Sequence, residues 1–196
     1  MDPFATLGIA RAFDVDLAAV EKVHRELSRA LHPDRYVGAS PSERRASLAK
    51  AVEVNEAWRV VRDPIRRADA LLALRGVATG EGPGAPTADP AFLMDMLEHR
   101  EALSEARQSK DREAVRRMAS AIEERARRVE RALAEGFARV DAKASRSVDA
   151  KASRSDDDAK ASPSDDVDGL AGKVGELKFY RRFLDEVSAI EDEWAA

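Results

Sequence analysis

At Ser40-Pro41, Asp63-Pro64 and Asp89-Pro90 of this 196-residue chain a capping side chain stands directly before a proline. Each pair starts a helix for the same reason. The cap oxygen accepts one of the orphan N–H groups of the first turn, and proline tolerates the first helical position because its missing N–H has no partner there. At the first site Glu43 follows Ser40 by three residues, which completes a capping box. A fourth proline acts the other way. Pro33 follows an amphipathic run and must end it near His32, since it lacks a donor and restricts the residue before it.

Between these marks the apolar residues repeat at three and four. Leu17, Val20, His24, Leu27 and Leu31 form one seam, and Leu48, Ala51, Val54, Trp58 and Val61 the next. Ile65, Ala68, Leu71 and Leu72 follow in a short helix that Gly76 closes. His24 on its seam reads as a partly buried core histidine. Residues 77–88 (VATGEGPGAPTA) hold three glycines and two prolines and are expected to be a linker. A helix then runs from Asp89-Pro90 to about Gln108, and Ser109 is expected to cap a longer one carrying Val115, Met118, Ile122, Val129, Leu133, Phe137 and Val140. A last helix from about Leu170 places Leu177, Leu184, Val187 and Trp194 on one side. β-branched clusters and alternating patterns are scarce, so the fold class is all-α, with residues 1–76 as one helical unit and 89–196 closing as a three-helix bundle.

Within that bundle Asp-Ala-Lys-Ala-Ser-Arg-Ser occurs at 141–147 and again at 149–155, followed by a variant at 158–164. Residues 141–168 carry no aromatic and no large apolar side chain beyond Val148 and Val167, and are expected to form a disordered spacer insertion.

Composition excludes several functions. Without cysteine there is no disulfide, thiol nucleophile or thiolate metal site, and His24, His32 and His99 are too scattered for a metal centre. No cofactor is expected. No acid/base pair, nucleophile constellation or phosphate loop supports a helical enzyme. A net charge of -4 argues against a general nucleic-acid binder. No signal peptide is expected ahead of Phe4, and no apolar run is long enough to span a bilayer, so the expected location is the cytoplasm.

The residues that carry function cluster at two places. His32-Pro33-Asp34 follows the first long helix and precedes a polar loop, so Pro33 stiffens the bend and Asp34 offers a carboxylate suited to a bidentate pair with a partner's arginine. Lys22, Arg25 and Arg29 lie three and four apart opposite the seam and, with Arg35, make a basic strip that could steer onto an acidic patch. Further on, Val54-Asn55-Glu56-Ala57-Trp58-Arg59-Val60-Val61-Arg62-Asp63-Pro64 resembles the third-helix ending of J-domains. The two motifs, at this separation, make residues 1–76 resemble a J-domain: a helical hairpin with short flanking helices. The resemblance implies that His32, Pro33 and Asp34 dock on a DnaK/HscA-class ATPase chaperone and stimulate it.

The second place is Asp89 to Ala106 (DPAFLMDMLEHREALSEA), which resembles the first C-terminal helix of the HscB-type co-chaperones. Helical geometry sends Phe92, Met96, His99 and Leu103 towards the long helix, and Leu93, Met94 and Leu97 to an adjacent side continued by Glu98, Glu101 and Glu105. In that family this face binds an IscU-type iron–sulfur scaffold protein. Leu177-Lys178-Phe179-Tyr180 resembles the segment that adds an aromatic to the surface, Phe179 being the better match and Phe183 the alternative. The function implied is a co-chaperone, not an enzyme, that delivers the scaffold to its chaperone. The alternative is a J-domain co-chaperone for another client with no iron–sulfur role.

Overall fold

The computed structural model describes residues 1–77, 89–150 and 163–195, and every regular element among them is helical. The chain divides into two compact units, Met1–Gly76 and Val77–Ala196.

The first unit holds α1 (Pro3–Leu7), α2 (Leu17–Ala30), a 3-10 turn (Pro33–Tyr36), α3 (Pro41–Arg62) and α4 (Pro64–Ala73). Asp2 caps α1 by accepting from the N–H groups of Phe4 and Ala5, and Gly8 ends it in the left-handed region at φ +67°, where a side chain would be strained. The Ser40–Glu43 capping box is formed in both directions. Its hydroxyl and N–H hold the Glu43 carboxyl below the usual carboxylate range. Phe4, Leu7, Phe13, Val20, Val54, Ala57, Val61, Ile65, Ala68, Leu71 and Leu72 make the core.

Two seam assignments need correction. Leu17, the first residue of α2, is exposed beyond the end of the core. Leu48 is exposed as well, because Ser47 takes the inward place: its hydroxyl donates to the Leu31 carbonyl at 3.1 Å, satisfying an orphan group at the end of α2. Arg67 also lies inside. Its Nη1 donates to the Val61 carbonyl at 2.7 Å, and its guanidinium lies 4.9 Å from the centre of the Phe13 ring.

The second unit is a bundle of α5 (Pro90–Gln108), α6 (Arg112–Ala150) and α7 (Pro163–Ala195). Arg100 pairs with Glu186 and Arg107 with Glu193, so the partners on both helices advance by seven and α5 runs parallel to α7. On α6 the numbers run oppositely. Arg112 donates to the Trp194 carbonyl and Arg116 reaches back to Glu191. Val115, Ile122, Val129, Leu133 and Phe137 pack against Leu170, Val174, Leu177, Tyr180, Phe183, Val187 and Ile190. Gly136 lies against the Leu170 side chain, where a Cβ would collide.

The turn between α5 and α6 differs from expectation. Ser109 does not cap α6; its hydroxyl and N–H bond back to the Glu105 carbonyl and close α5. Lys110 then adopts φ +55°, and Asp111 caps α6 by accepting from Ala114 N–H at 2.9 Å. The spacer expectation for 141–168 is corrected at both ends, since α6 continues to Ala150, α7 begins at Pro163 and Val167 is buried. Alanine, lysine and arginine are good helix formers, and extending a packed helix gains one hydrogen bond per residue with no new nucleation. Residues 151–162 of that stretch, and all but Val77 of the expected linker, lie outside the described residues.

Candidate functional site

The bend after α2 is built by three local interactions. Leu31 N–H still reaches back to the Leu27 carbonyl, Pro33 opens the 3-10 turn, and Arg35 N–H bonds the His32 carbonyl at 3.0 Å. His32 caps this turn through its ring: Nδ1 accepts from Asp34 N–H at 3.3 Å. The capping duty therefore falls on the histidine, and the Asp34 carboxylate is left outward. Its side chain is 87% exposed, with His32 Nδ1 at 3.5 Å as its near neighbour.

The bend is anchored to α3 from two directions. Ser47 holds the Leu31 carbonyl, as above. His24 stacks on Trp58 with ring centres 5.4 Å apart, and its Nε2 bonds Asn55 Oδ1 at 3.0 Å. The residues Asn55 and Trp58 of the second sequence motif thus lock the helix that carries the first. Lys22, Arg25, Arg29 and Arg35 are all exposed, and Arg25 has only a loose 3.7 Å pairing with Glu21. Sequence reasoning missed a groove of about 240 Å³ behind the bend, lined by Leu31, Pro33, Tyr36, Ser47, Leu48 and Ala51. The exposed Leu48 lines this groove because Ser47 takes its inward place.

On α5 the helical faces separate. Met96 and Leu103 are buried, whereas Leu93 is 38%, Met94 57% and Leu97 50% exposed. Glu98, Glu101 and Glu105 are exposed and continue the row of Met94 at helical spacing. Phe92 and His99, expected against the long helix, both meet α7. Phe92 contacts the edges of Phe179 and Tyr180 at 5.7 and 5.6 Å, and His99 faces Phe183 at 6.4 Å. Because α5 and α7 run side by side, their aromatic residues interlock.

That packing separates the two aromatic candidates on α7. Phe183 is buried, while Phe179 is half-buried with the Arg182 guanidinium 5.1 Å from its ring centre. Phe179, Leu93, Met96, Leu97, Arg100, Arg182 and Phe183 line a pocket of about 220 Å³ across the α5–α7 groove. Apolar walls around a concavity of one large side chain's size, with acids along one flank, can anchor a protein partner. Among the described residues no group of three or more acids and histidines could hold a metal ion, and no helix is long and apolar enough to cross a membrane.

Comparison with known proteins is consistent across sequence and structure. The family model for the HSCB C-terminal oligomerisation domain matches residues 88–188. A co-chaperone protein HscB homolog from Shewanella sp. (strain ANA-3) is 33% identical over 98% of both chains. Another, from Bordetella petrii, is 42% identical over 106 residues, covering 54% of this chain and 62% of that protein. Among solved structures, chaperone HscB from Vibrio cholerae superposes with a TM-score of 0.75 at 24% identity, covering 98% of this chain and 99% of the other. The human co-chaperone protein HscB gives a TM-score of 0.75 at 20% identity over 97% of this chain and 82% of that one. At these identities the structures speak to the fold, a J-domain followed by a C-terminal helical domain.

Proposed function

Because this chain belongs to the HscB co-chaperone family, we propose that it is a two-ended adaptor delivering an IscU-type iron–sulfur scaffold protein to a DnaK/HscA-class ATPase chaperone in the cytoplasm. It carries no active site of its own. Residues 1–76 act as the J-domain, 77–88 as a linker and 89–196 as the client-binding domain.

The observation that carries this reading is the exposure of Leu93, Met94 and Leu97 beside Phe179 on a bundle whose other large apolar side chains are mostly inside. A helix that only completed a bundle would gain from turning those side chains inward, so their display fits a second protein as the missing cover. Glu98, Glu101 and Glu105 along the flank would select basic residues on the scaffold and disfavour acidic surfaces.

At the other end, the Asp34 carboxylate is already freed from capping and held on a proline-stiffened turn, so little freedom is lost when it pairs with an arginine of the chaperone. Lys22, Arg25, Arg29 and Arg35 steer that approach. Hydrolysis happens on the chaperone. With both surfaces on one molecule, the captured scaffold meets the chaperone at an effective concentration of about millimolar order. Iron ligands must come from the scaffold, since this chain has no cysteine.

The test is steady-state ATPase of the purified chaperone with Asp34→Asn. Stimulation should fall by at least about tenfold, the value of one charge-assisted bidentate contact, while scaffold binding measured by calorimetry stays unchanged. Full stimulation by Asp34→Asn would refute the docking assignment. Scaffold binding unaffected by Leu93→Ala or Glu98→Ala would favour the other client reading.

A further inference from the structure

The pocket that lies between α5 and α7 has walls from two helices, so its shape depends on how those helices are registered. Towards their C-terminal ends the register is held by the surface pairs Arg100–Glu186 and Arg107–Glu193. At the pocket itself a third helix intervenes. Arg125 of α6 pairs with Asp95 of α5 through its guanidinium. Tyr180 of α7 is buried. Burial pushes that hydroxyl above the usual tyrosine range, Glu176 adds to the rise, and Arg125 draws it back.

The neighbours of these groups are the pocket's own residues. Tyr180 adjoins Phe179, and both rings rest edge-on against Phe92, one turn before Asp95. Asp95 also lies beside His99, whose Nδ1 donates to the Asp95 carbonyl at 2.7 Å and which in turn faces Phe183 at the pocket floor. Phe92, Asp95 and His99 occupy one edge of α5, and all three meet α6 or α7. Removing the Arg125 tie would leave this edge without its charged anchor on α6, and aromatic contacts define distance more loosely than a charge-assisted hydrogen bond.

We propose that Arg125 is a positioning residue for the client pocket, tying Asp95, and with it the α5 wall, to α6 so that Leu93, Leu97 and Phe179 keep the spacing a scaffold side chain requires. This rests on the reading of the α5–α7 face as the scaffold-binding surface. Arg125 touches no client; it acts through the Asp95 that it holds.

The test uses the full chain and a purified IscU-type scaffold, with binding measured by titration calorimetry and folding by thermal denaturation. Arg125→Met should raise the Kd about tenfold while Tm falls by only a few degrees, because Asp95 and Arg125 are both partly exposed and water takes over their hydrogen bonds. Arg125→Lys keeps the charge but carries it on a more flexible stem, and should give an intermediate Kd. The control is Val115→Ala, a buried position about 15 Å further along α6; it should lower Tm at least as much with Kd unchanged. Asp95→Asn serves where Arg125→Met fails to fold, and should raise the Kd several-fold. Wild-type Kd in Arg125→Met or Asp95→Asn, while Leu93→Ala still weakens binding, overturns this inference and leaves the proposed function standing. An equal rise in Val115→Ala overturns it too, by reducing the effect to general stability. Failure of the parent protein to bind the scaffold overturns both.

Discussion

Leu97 and Leu103 sit six residues apart on the same helix and should respond in opposite ways to the same truncation. Leu97 is 50% exposed and Leu103 is 0% exposed. Full burial of a leucine side chain is worth about 1.5–3 kcal/mol. A partner covering the exposed half of Leu97 would therefore gain about 1 kcal/mol from it, and Leu97→Ala should raise the scaffold Kd about fivefold. Its buried half contributes to the fold by a similar amount, so Tm should drop by about 4 °C. Leu103→Ala removes a fully packed side chain at a cost of about 2–5 kcal/mol, lowering Tm by about 8–20 °C. Because Leu103 faces no partner, the variant's Kd should stay within about twofold of the parent at a temperature where both are folded. Calorimetric titration with scaffold and a thermal melt on each variant give all four numbers. The reasoning fails if Leu97→Ala binds like the parent, or if Kd simply tracks Tm across the two.

The Glu176 carboxyl is held above its ordinary range of 4.5, first by burial and then by Asp89, with Lys173 pulling the other way. A carboxyl raised in the folded state binds its proton more tightly there than in the unfolded chain, so its ionisation weakens the fold as pH rises from 4.5 through the folded value. Glu176→Gln should therefore melt higher than the parent at pH 7, with the difference closing at pH 4; equal melting at pH 7 contradicts this. Gly136→Ala gains about 1 kcal/mol of helix propensity but forces the new Cβ onto Leu170, a cost of about 1–3 kcal/mol. A net fall in Tm is expected, and a rise would mean that Leu170 moves aside freely. Reversing Arg25 and Arg29 to glutamate should slow association with the chaperone about tenfold at low salt, with the difference vanishing at high salt, as stopped-flow measurements can check.

Much of this architecture was legible because helix starts depend on local chemistry. Asp63-Pro64 and Asp89-Pro90 begin α4 and α5 as the cap-plus-proline rule requires. The same rule applied to Asp2-Pro3 would have found α1. What escaped were positions where a distant partner overrides the local signal. A polar pattern cannot say that Ser47 will bond Leu31 and displace Leu48 from the seam, nor that Arg67 will be stabilised inside by the Val61 carbonyl and the Phe13 ring. Ser109 and Asp111 both suit a helix start, and only the left-handed Lys110 between them decides which helix each serves. The repeat that begins at residue 141 has Val148 as its one large apolar side chain before Ala150, yet propagation from α6 carries the helix through to Ala150. At the candidate site, the outward side chains of α5 followed from the helical wheel. The choice between Phe179 and Phe183 did not, because it depends on how α7 lies against Phe92 and His99. Arg125 was invisible for the same reason.

The central claim is that a docking surface and a carrying surface act together because one chain joins them. It is tested most directly by mixing two variants, Asp34→Asn and Leu93→Ala/Leu97→Ala, each intact at the end where the other is impaired, and measuring transfer of scaffold onto the chaperone by fluorescence anisotropy. The account predicts that the mixture stays as inactive as either variant alone. Recovery of parental transfer by the mixture would contradict it, since two surfaces that can work from separate molecules need no adaptor.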